Sequence, residues 1–267
     1  VRAFDSHCHL DLPAFDADRE AVWDRATGAG VCGALIPAVS PAHWAETLHV
    51  ARAGSRWVAL GIHPYALQDL DDAAVADALD ALPGWLGDPD GRVVAVGECG
   101  LDGTLDPARA SLDRQREVLA AHLRVAVRAD LPLVLHVRGA HREALEVLGR
   151  EGLPSRAGVV HSYSGGTEHQ RAYLDLGLHL AFGGAITRPR ARRPVEALKA
   201  TPADRLLLET DAPDQPVAGV VRGEPGDLVT VIRHAAAARG VEADPLGAQT
   251  MDNALALFAV RCGGRRG

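Results

Sequence analysis

Six residues of this chain carry side chains able to hold a divalent metal ion, and they fall at a recurring kind of position. The first pair is His7-Cys8-His9. Two residues apart on an extended segment, both imidazoles face one side and can share an ion. Alone this pattern is weak: with 12 histidines, composition gives roughly half an H-x-H by chance. Two half-buried polar histidines near a turn explain it equally well. Position adds the weight. Glu98 closes the apolar run Val93–Val96 and reads in phase with Val94 and Val96. His136 closes Leu133–Leu135 in phase with Val134, and His161 closes Gly158–Val160 in phase with Val159. Asp211 follows Leu206–Leu208 on the face of Leu207 and Glu209, while Asp5, His7 and His9 share a face of the first run. A lone histidine at a strand end is more often structural. Nitrogen and oxygen ligands recurring at one strand position are hard to assign to packing.

The chemistry follows from the ligand set. His7, His9, Glu98, His136, His161 and Asp211 exceed the needs of one tetrahedral site, and Glu98, on a middle strand, could bridge two ions. Two divalent ions about 3.5–4 Å apart lower the pKa of a shared water and stabilise attacking and leaving oxygens. Asp211 could bind one metal and take the proton of the nucleophilic water, so Asp211 and Glu98 are the catalytic candidates. Imidazole and carboxylate without thiolate suit Zn²⁺ or Mn²⁺; Mg²⁺ is less suited to imidazole. The expectation is a metal-dependent hydrolase.

Such a set needs elements that bring distant residues together. Short apolar runs at Arg2–Cys8, Gly33–Pro37, Trp57–Gly61, Arg92–Gly97, Leu133–His136, Gly158–His161, Leu178–Phe182 and Arg205–Glu209 read as strands. Helix-like segments between them include Asp18–Gly28, Pro41–Ala53, Ser111–Ala129 and His141–Leu148, with Asp227–Arg239 and Asp244–Val260 finishing the chain. This alternation predicts an α/β fold, a TIM (β/α)8 barrel, whose loops after the strands build the active face. An open doubly wound sheet is the alternative. It would bring a glycine-rich phosphate turn after the first strand, where this chain has His-Cys-His-Leu-Asp. A single barrel over residues 1–260 is expected, with 261–267 as a frayed tail. The Pro- and Gly-rich stretch Ala212–Asp227 either covers substrate or is a plain surface connection.

The 267 residues, a net charge of −7 and 47% apolar content fit one soluble globular unit without a general polyanion-binding surface. Cys8, Cys32, Cys99 and Cys262 lack C-x-x-C spacing and read as reduced thiols, Cys8 and Cys99 packing behind the barrel wall. There is no long apolar stretch and no signal-like start, so cytoplasm is the default location. A monomer or weak oligomer with no membrane partner is expected.

Six ordered motifs resemble one family. Asp5-Ser-His-Cys-His-Leu-Asp, Gly61-Ile-His-Pro, Gly97-Glu-Cys-Gly-Leu-Asp, Leu135-His-Val-Arg, Val160-His-Ser-Tyr-Ser-Gly and Leu207-Leu-Glu-Thr-Asp-Ala-Pro are similar to those of the TatD metal-dependent hydrolases of the amidohydrolase superfamily. Asn253…Leu257-Phe258 also fits, and Asp211-Ala-Pro-Asp-Gln-Pro with His141 after Arg138 looks most like the YjjV-type branch. The resemblance implies a TIM barrel and a binuclear centre. It places His7, His9, Glu98 and Asp211 on one metal, and Glu98, His136 and His161 on the other. It also implies phosphodiester hydrolysis, typically as a deoxyribonuclease. Two stretches depart from the family pattern: Gly103-Thr-Leu-Asp where aromatics are common, and Arg222-Gly-Glu-Pro-Gly-Asp, which lacks an Asn and adds Glu224. Substrate grip, rather than the metal site, is where this chain is expected to differ.

Substrate contacts are read more loosely. His63 could meet a phosphate or hydrogen-bond Glu98. Arg138 and His141 could hold a phosphate or form salt bridges to a neighbouring helix. Arg188, leading the run Arg190, Arg192 and Arg193, could guide a nucleic-acid backbone or simply be solvated. Arg222 is a further candidate in the altered loop. Tyr163 and Trp85 could stack on bases or pack, and Gly165-Gly166 could allow close backbone approach to substrate. Asp102 and Glu209 are candidate partners of the ligand imidazoles. The substrate is then DNA or another phosphodiester. A metal-dependent amidohydrolase or esterase acting on a small molecule or aminoacyl ester is the alternative, and a non-catalytic metal-stabilised barrel a third reading.

Overall fold

The computed structural model describes residues 2–261, so residues 262–267 of the expected tail, with Cys262, lie outside the described residues. Eight strands alternate with helices: β1 Ala3–Asp5, β2 Val31–Pro37, β3 Arg56–Leu60, β4 Val93–Asp102, β5 Leu133–Arg138, β6 Gly158–Val160, β7 His179–Phe182 and β8 Leu206–Leu208. They pair in parallel in sequence order. The helices are α1 Arg19–Ala29, α2 Trp44–Ala51, α3 Asp72–Leu86, α4 Leu112–Ala129, α5 His141–Glu151, α6 Thr167–Asp175, α7 Arg192–Ala200, α8 Leu228–Arg239 and α9 Ala243–Phe258. The chain is a TIM barrel.

Between β8 and β1 the barrel closes mostly beyond the strands proper. Ser6 N–H donates to Leu208 O at 3.2 Å, Asp211 N–H to His7 O at 2.9 Å and His9 N–H to Ala212 O at 2.7 Å. Asp5 completes the seam by accepting from Thr210 N at 2.9 Å and Thr210 Oγ1 at 2.6 Å. This corrects the expected first strand in two ways. It ends at Asp5 rather than Cys8, and the Asp5 carboxylate turns onto β8 instead of joining His7 and His9.

Two apolar layers result. Phe4, Leu35, Trp57, Val94, Val134, Val159, Ala181 and Leu207 fill the barrel interior, with Met251, Leu257 and Phe258 of α9 in the same cluster. Phe4 meets Phe258 at 6.3 Å between ring centroids and Trp57 at 5.7 Å. Asn253 Nδ2 donates to Ala203 O at 2.7 Å and Leu206 O at 2.9 Å, fixing α9 beneath the start of β8. One end of the barrel is thereby plugged. The opposite end, where the strands finish, is left to the loops. The second layer lies between strands and helices and contains Cys8 and Cys99 as free thiols, as expected.

The helices form where their caps and apolar stripes allow. Ser111 caps α4 by accepting from Arg114 N at 3.3 Å, and the buried face of α4 carries Val118, Leu119, His122, Leu123 and Ala126. His122 is wholly buried with both ring nitrogens engaged. Nδ1 donates to Val118 O at 2.8 Å, and Nε2 accepts from Ile62 N at 3.0 Å. It thus steadies the chain leaving β3 one residue before His63. No described helix is long and apolar enough to cross a membrane.

Candidate metal centre

All six proposed ligands converge at the open end of the barrel, around Glu98, which is 1% exposed. How Glu98 gets there differs from the expected alternation. A register irregularity at Val58/Ala59 against β4 leaves Val94 and Ala95 in the interior cluster and Val96 in the outer one. A second irregularity, between Gly97 and Cys99 against β5, skips Glu98 and turns it inward. The phase argument from Val94 and Val96 is therefore corrected: bulges, not simple period-two alternation, aim this carboxylate. Gly97 adopts φ +139°, and a Cβ there would strike Val134 backbone, so glycine is required for the close approach. For His136 and His161 the alternation holds, since Val134 and Val159 are interior.

The two oxygens of Glu98 face different groups. Oε2 lies 3.2 Å from His7 Nε2 and 3.6 Å from His9 Nε2. Both nitrogens are 3.5 Å from Asp211 Oδ1 and 3.2 Å from each other. Oε1 lies 3.2 Å from His136 Nδ1 and 2.9 Å from His161 Nε2, and these nitrogens are 3.1 Å apart. Despite this crowding, neither Glu98 oxygen has a well-directed hydrogen bond among the described residues. Converging lone pairs with no donor between them repel unless a cation is shared, so the donor set fits divalent ions. Burial pushes the Glu98 carboxyl up, but His161, His63 and His7 outweigh it and hold it well below the usual range. Asp211 is likewise held low against burial by His9, His161 and His7. Ionised carboxylates are the form that binds metal.

The partners of these imidazoles fix which nitrogen faces inward. His9 Nδ1 donates to Pro37 O at 3.1 Å, leaving Nε2 its lone pair. His136 Nε2 lies 3.2 Å from Asp102 Oδ2, whose other oxygen accepts from Thr104 N and Oγ1 at 2.8 and 2.6 Å. His161 Nδ1 sits 3.5 Å from Glu209 Oε1, which accepts from Ser162 N at 2.6 Å. Asp102 and Glu209 thus stand beside ligand imidazoles, and Glu209 and His63 also have atoms within ligand range. Of the two readings of His63, the structure shows the Glu98 contact. Its Nδ1 accepts from Tyr65 N at 2.9 Å, and its Nε2 lies 3.2 Å from Glu98 Oε1 without a well-directed hydrogen bond.

Sequence reasoning missed Gln215. Its Nε2 donates to Asp211 Oδ2 at 2.5 Å and lies 2.7 Å from Ser162 Oγ, leaving Asp211 Oδ1 to the histidines. Asp211, Gln215 and Ser162 all have left-handed backbones, with φ of 57°, 48° and 45°. The other two non-glycine residues of this kind among the described residues, Asp130 and Ala259, are helix C-caps. Among the described residues, backbone strain outside glycine is thus concentrated beside the candidate ligands, a placement no sequence periodicity encodes.

Above the cluster opens a cavity of about 800 Å³, with His63, Arg138, Tyr163 and Arg188 on its wall. Arg138 and Arg188 are exposed, and neither forms an ion pair among the described residues. Tyr163 reaches the wall but is committed to packing, its hydroxyl donating to Gly166 O at 2.6 Å. Other candidates stand away from the cavity wall. Arg222 is drawn off the wall by Asp18 Oδ2 at 2.8 Å and Glu224 Oε1 at 2.9 Å, over the Phe15 ring at 5.0 Å. His141 is also off the wall, its Nδ1 3.2 Å from Tyr173 Oη. Gly165 serves packing, because a Cβ would sit 2.5 Å from Tyr163 Oη. Trp85 packs on Trp44 at 6.0 Å, away from the cavity.

Known proteins resemble this chain in sequence and fold. A family model described as TatD related DNase matches residues 4–259. The chain is 36% identical to the metal-dependent hydrolase YjjV of Escherichia coli K12, over 97% of this chain and 98% of that one. It is 34% identical to the 3'-5' ssDNA/RNA exonuclease TatD of Erwinia amylovora, over 96% of this chain and all 100% of the other. The crystal structure of the Escherichia coli TatD homologue YjjV superposes with a TM-score of 0.90 at 35% identity, covering 97% and 99% of the two chains.

Proposed function

The chain belongs to the TatD family of metal-dependent hydrolases, and from that footing we propose that it cleaves phosphodiester bonds in DNA or another nucleic acid, using two divalent ions. His7, His9 and Asp211 with Glu98 Oε2 would hold one ion, and His136 and His161 with Glu98 Oε1 the other. The observation that carries the reading is the splitting of Glu98 between two donor groups at the floor of a cavity walled by unpaired Arg138 and Arg188. The nuclease name of the Erwinia amylovora relative supports single-stranded nucleic acid as the substrate class.

Bound there, divalent ions acidify water and stabilise charge developing on the transferred phosphoryl group; Zn²⁺ or Mn²⁺ suits the imidazole-rich donors. The chain supplies the rest. Asp211, ionised and steadied at Oδ2 by Gln215, accepts the proton of the attacking water. Arg138 and Arg188 neutralise substrate phosphates and orient the scissile bond. His63 Nε2, 3.2 Å from Glu98 Oε1, would help hold that carboxylate between the two donor groups.

A panel of single-stranded DNA, RNA, aminoacyl esters and cyclic amides, each with Mn²⁺, Mg²⁺ or Zn²⁺, tests the reading. Nucleic-acid cleavage that Asp211→Asn abolishes while at least one ion stays bound is the expected result. Amide or aminoacyl-ester turnover without cleavage of any nucleic acid would refute it in favour of the small-molecule hydrolase.

A further inference from the structure

Aromatic side chains in this protein are nearly all interior. Every phenylalanine, Tyr163 and Tyr173 are at most 2% exposed, and Trp23, Trp44 and Trp57 at most 8%. Tyr65 departs from this at 58%, and it stands on the wall of the cavity above the metal centre. Among the described residues no ring packs against it and its hydroxyl has no partner. Its backbone is nevertheless fixed. Tyr65 lies in the 3-10 turn Pro64–Gln68, and its amide donates to His63 Nδ1 at 2.9 Å, the same imidazole that touches Glu98. A rigidly mounted, solvated aromatic ring costs little ordering entropy when a flat ligand covers it.

The two sides of the cavity differ in chemistry. Near Tyr65 the wall includes Val39 and Leu105, from the loops after β2 and β4. Arg188 follows β7, four strands from β3 in a ring of eight and so across the mouth, and Arg138 ends β5. Among the described residues, Arg19, Arg25, Arg109, Arg114 and Arg222 are instead engaged by carboxylates. The cavity mouth thus has a solvated aromatic ring on its β3 side and the Arg188 guanidinium on its β7 side, with Arg138 between them in strand order.

We propose that Tyr65 is a specificity-determining residue: its ring stacks on a nucleobase of the substrate, while the adjoining phosphates lie toward Arg138 and Arg188. This rests on the phosphodiesterase reading. Because every base offers a π-face, the discrimination is for a base over none, rather than between bases.

Two esters with the same leaving group separate the contributions: thymidine 5′-(p-nitrophenyl phosphate) and methyl p-nitrophenyl phosphate, each with the Mn²⁺-loaded enzyme. For Tyr65→Leu, kcat/KM on the thymidine ester should fall about 5- to 100-fold, mainly through KM, with the methyl ester changed less than about twofold. Tyr65→Phe should retain the wild-type preference, since the ring and not the hydroxyl is used. Equal losses on both esters, no loss on the thymidine ester, or failure of Tyr65→Phe to retain the preference would overturn the assignment. Calorimetric binding of thymidine 5′-monophosphate against ribose 5-phosphate supplies a readout independent of turnover, and Tyr65→Leu should weaken only the nucleotide. A wild type that cleaves neither these esters nor any single-stranded DNA or RNA refutes the phosphodiester reading itself, and this binding difference then decides Tyr65 alone.

Discussion

On the proposed two-ion reading, Asp102→Asn should uncouple the two halves of the metal centre. Asp102 accepts on both oxygens: Oδ1 from Thr104 N and Oγ1, and Oδ2 from His136 Nε2 at 3.2 Å. Burial raises its carboxyl pKa, but the bonds from His136 and Thr104 outweigh burial and keep it ionised. An asparagine has only one oxygen. If that oxygen stays with the two Thr104 donors, the amide NH₂ faces His136 Nε2, which must then accept. The imidazole proton moves to Nδ1, the atom that faces Glu98 and His161. The ligand lone pair is thereby lost from one ion only. Outer partners of metal-bound histidines are worth roughly 10–100-fold in affinity, or about 1.4–2.7 kcal/mol. Calorimetric titration of the metal-free protein with Zn²⁺ should show one binding step weakened by that factor and the other, on His7, His9 and Asp211, unchanged. Equal weakening of both steps, or none, would refute the tautomer argument. Asp102→Ala, which leaves no amide to impose the switch, should weaken the same step less.

Three further outcomes are expected. Burial pushes His122 down from 6.5 to about 4, so on acidification the unfolded chain takes up this proton first. Its contribution is whole above pH 6.5 and falls away by about 3 kcal/mol toward pH 4; His122→Gln should flatten the stability–pH slope in that window, seen by urea melts at stepped pH, and an unchanged slope counts against it. Gln215→Leu removes the donor from Asp211 Oδ2, and a hydrogen bond to a charged group of this kind converts to about 10- to 100-fold in kcat with KM near wild type. A loss carried by KM instead would assign Gln215 to substrate binding. Arg222→Ala should leave steady-state cleavage within about twofold of wild type, because the guanidinium is held by Asp18 and Glu224; a large rise in KM would return it to the site.

The barrel was legible in the sequence because its strands are short apolar runs spaced by amphipathic helices, and the period of each element is a local property. His136 and His161 were legible for the same reason: regular strands carry them, and Val134 and Val159 give the phase. Glu98 was found at the right place by the wrong route, since two register irregularities and a glycine at φ +139° aim it. Bulges depend on what the neighbouring strand does, which a run of apolar letters does not record. That Arg222 and His141 stand off the cavity wall was not legible, because a charge or ring near a ligand strand says nothing about partners far along the chain; Asp18 is 204 residues from Arg222. Gln215 gave no periodic signal at all. Its role comes from a left-handed turn that only the packed loop defines.

The seam between β8 and β1 makes the two halves of the centre unequal during synthesis. Glu98, His136 and His161 sit on strands that follow one another in the chain, so their donor group is encoded once residue 161 has emerged. The other group joins His7 and His9 to Asp211, and the bonds around it span about the whole molecule, 205 residues separating Asp5 from Thr210. A nascent or truncated chain ending before Asp211 therefore has half of the proposed donor set and an open edge on β1. Contacts this distant form late, after most of the loop-closure entropy has been spent. An ion held by His7, His9 and Asp211 would act as a clasp between the ends of the chain, and its uptake would report that the circle of strands is complete.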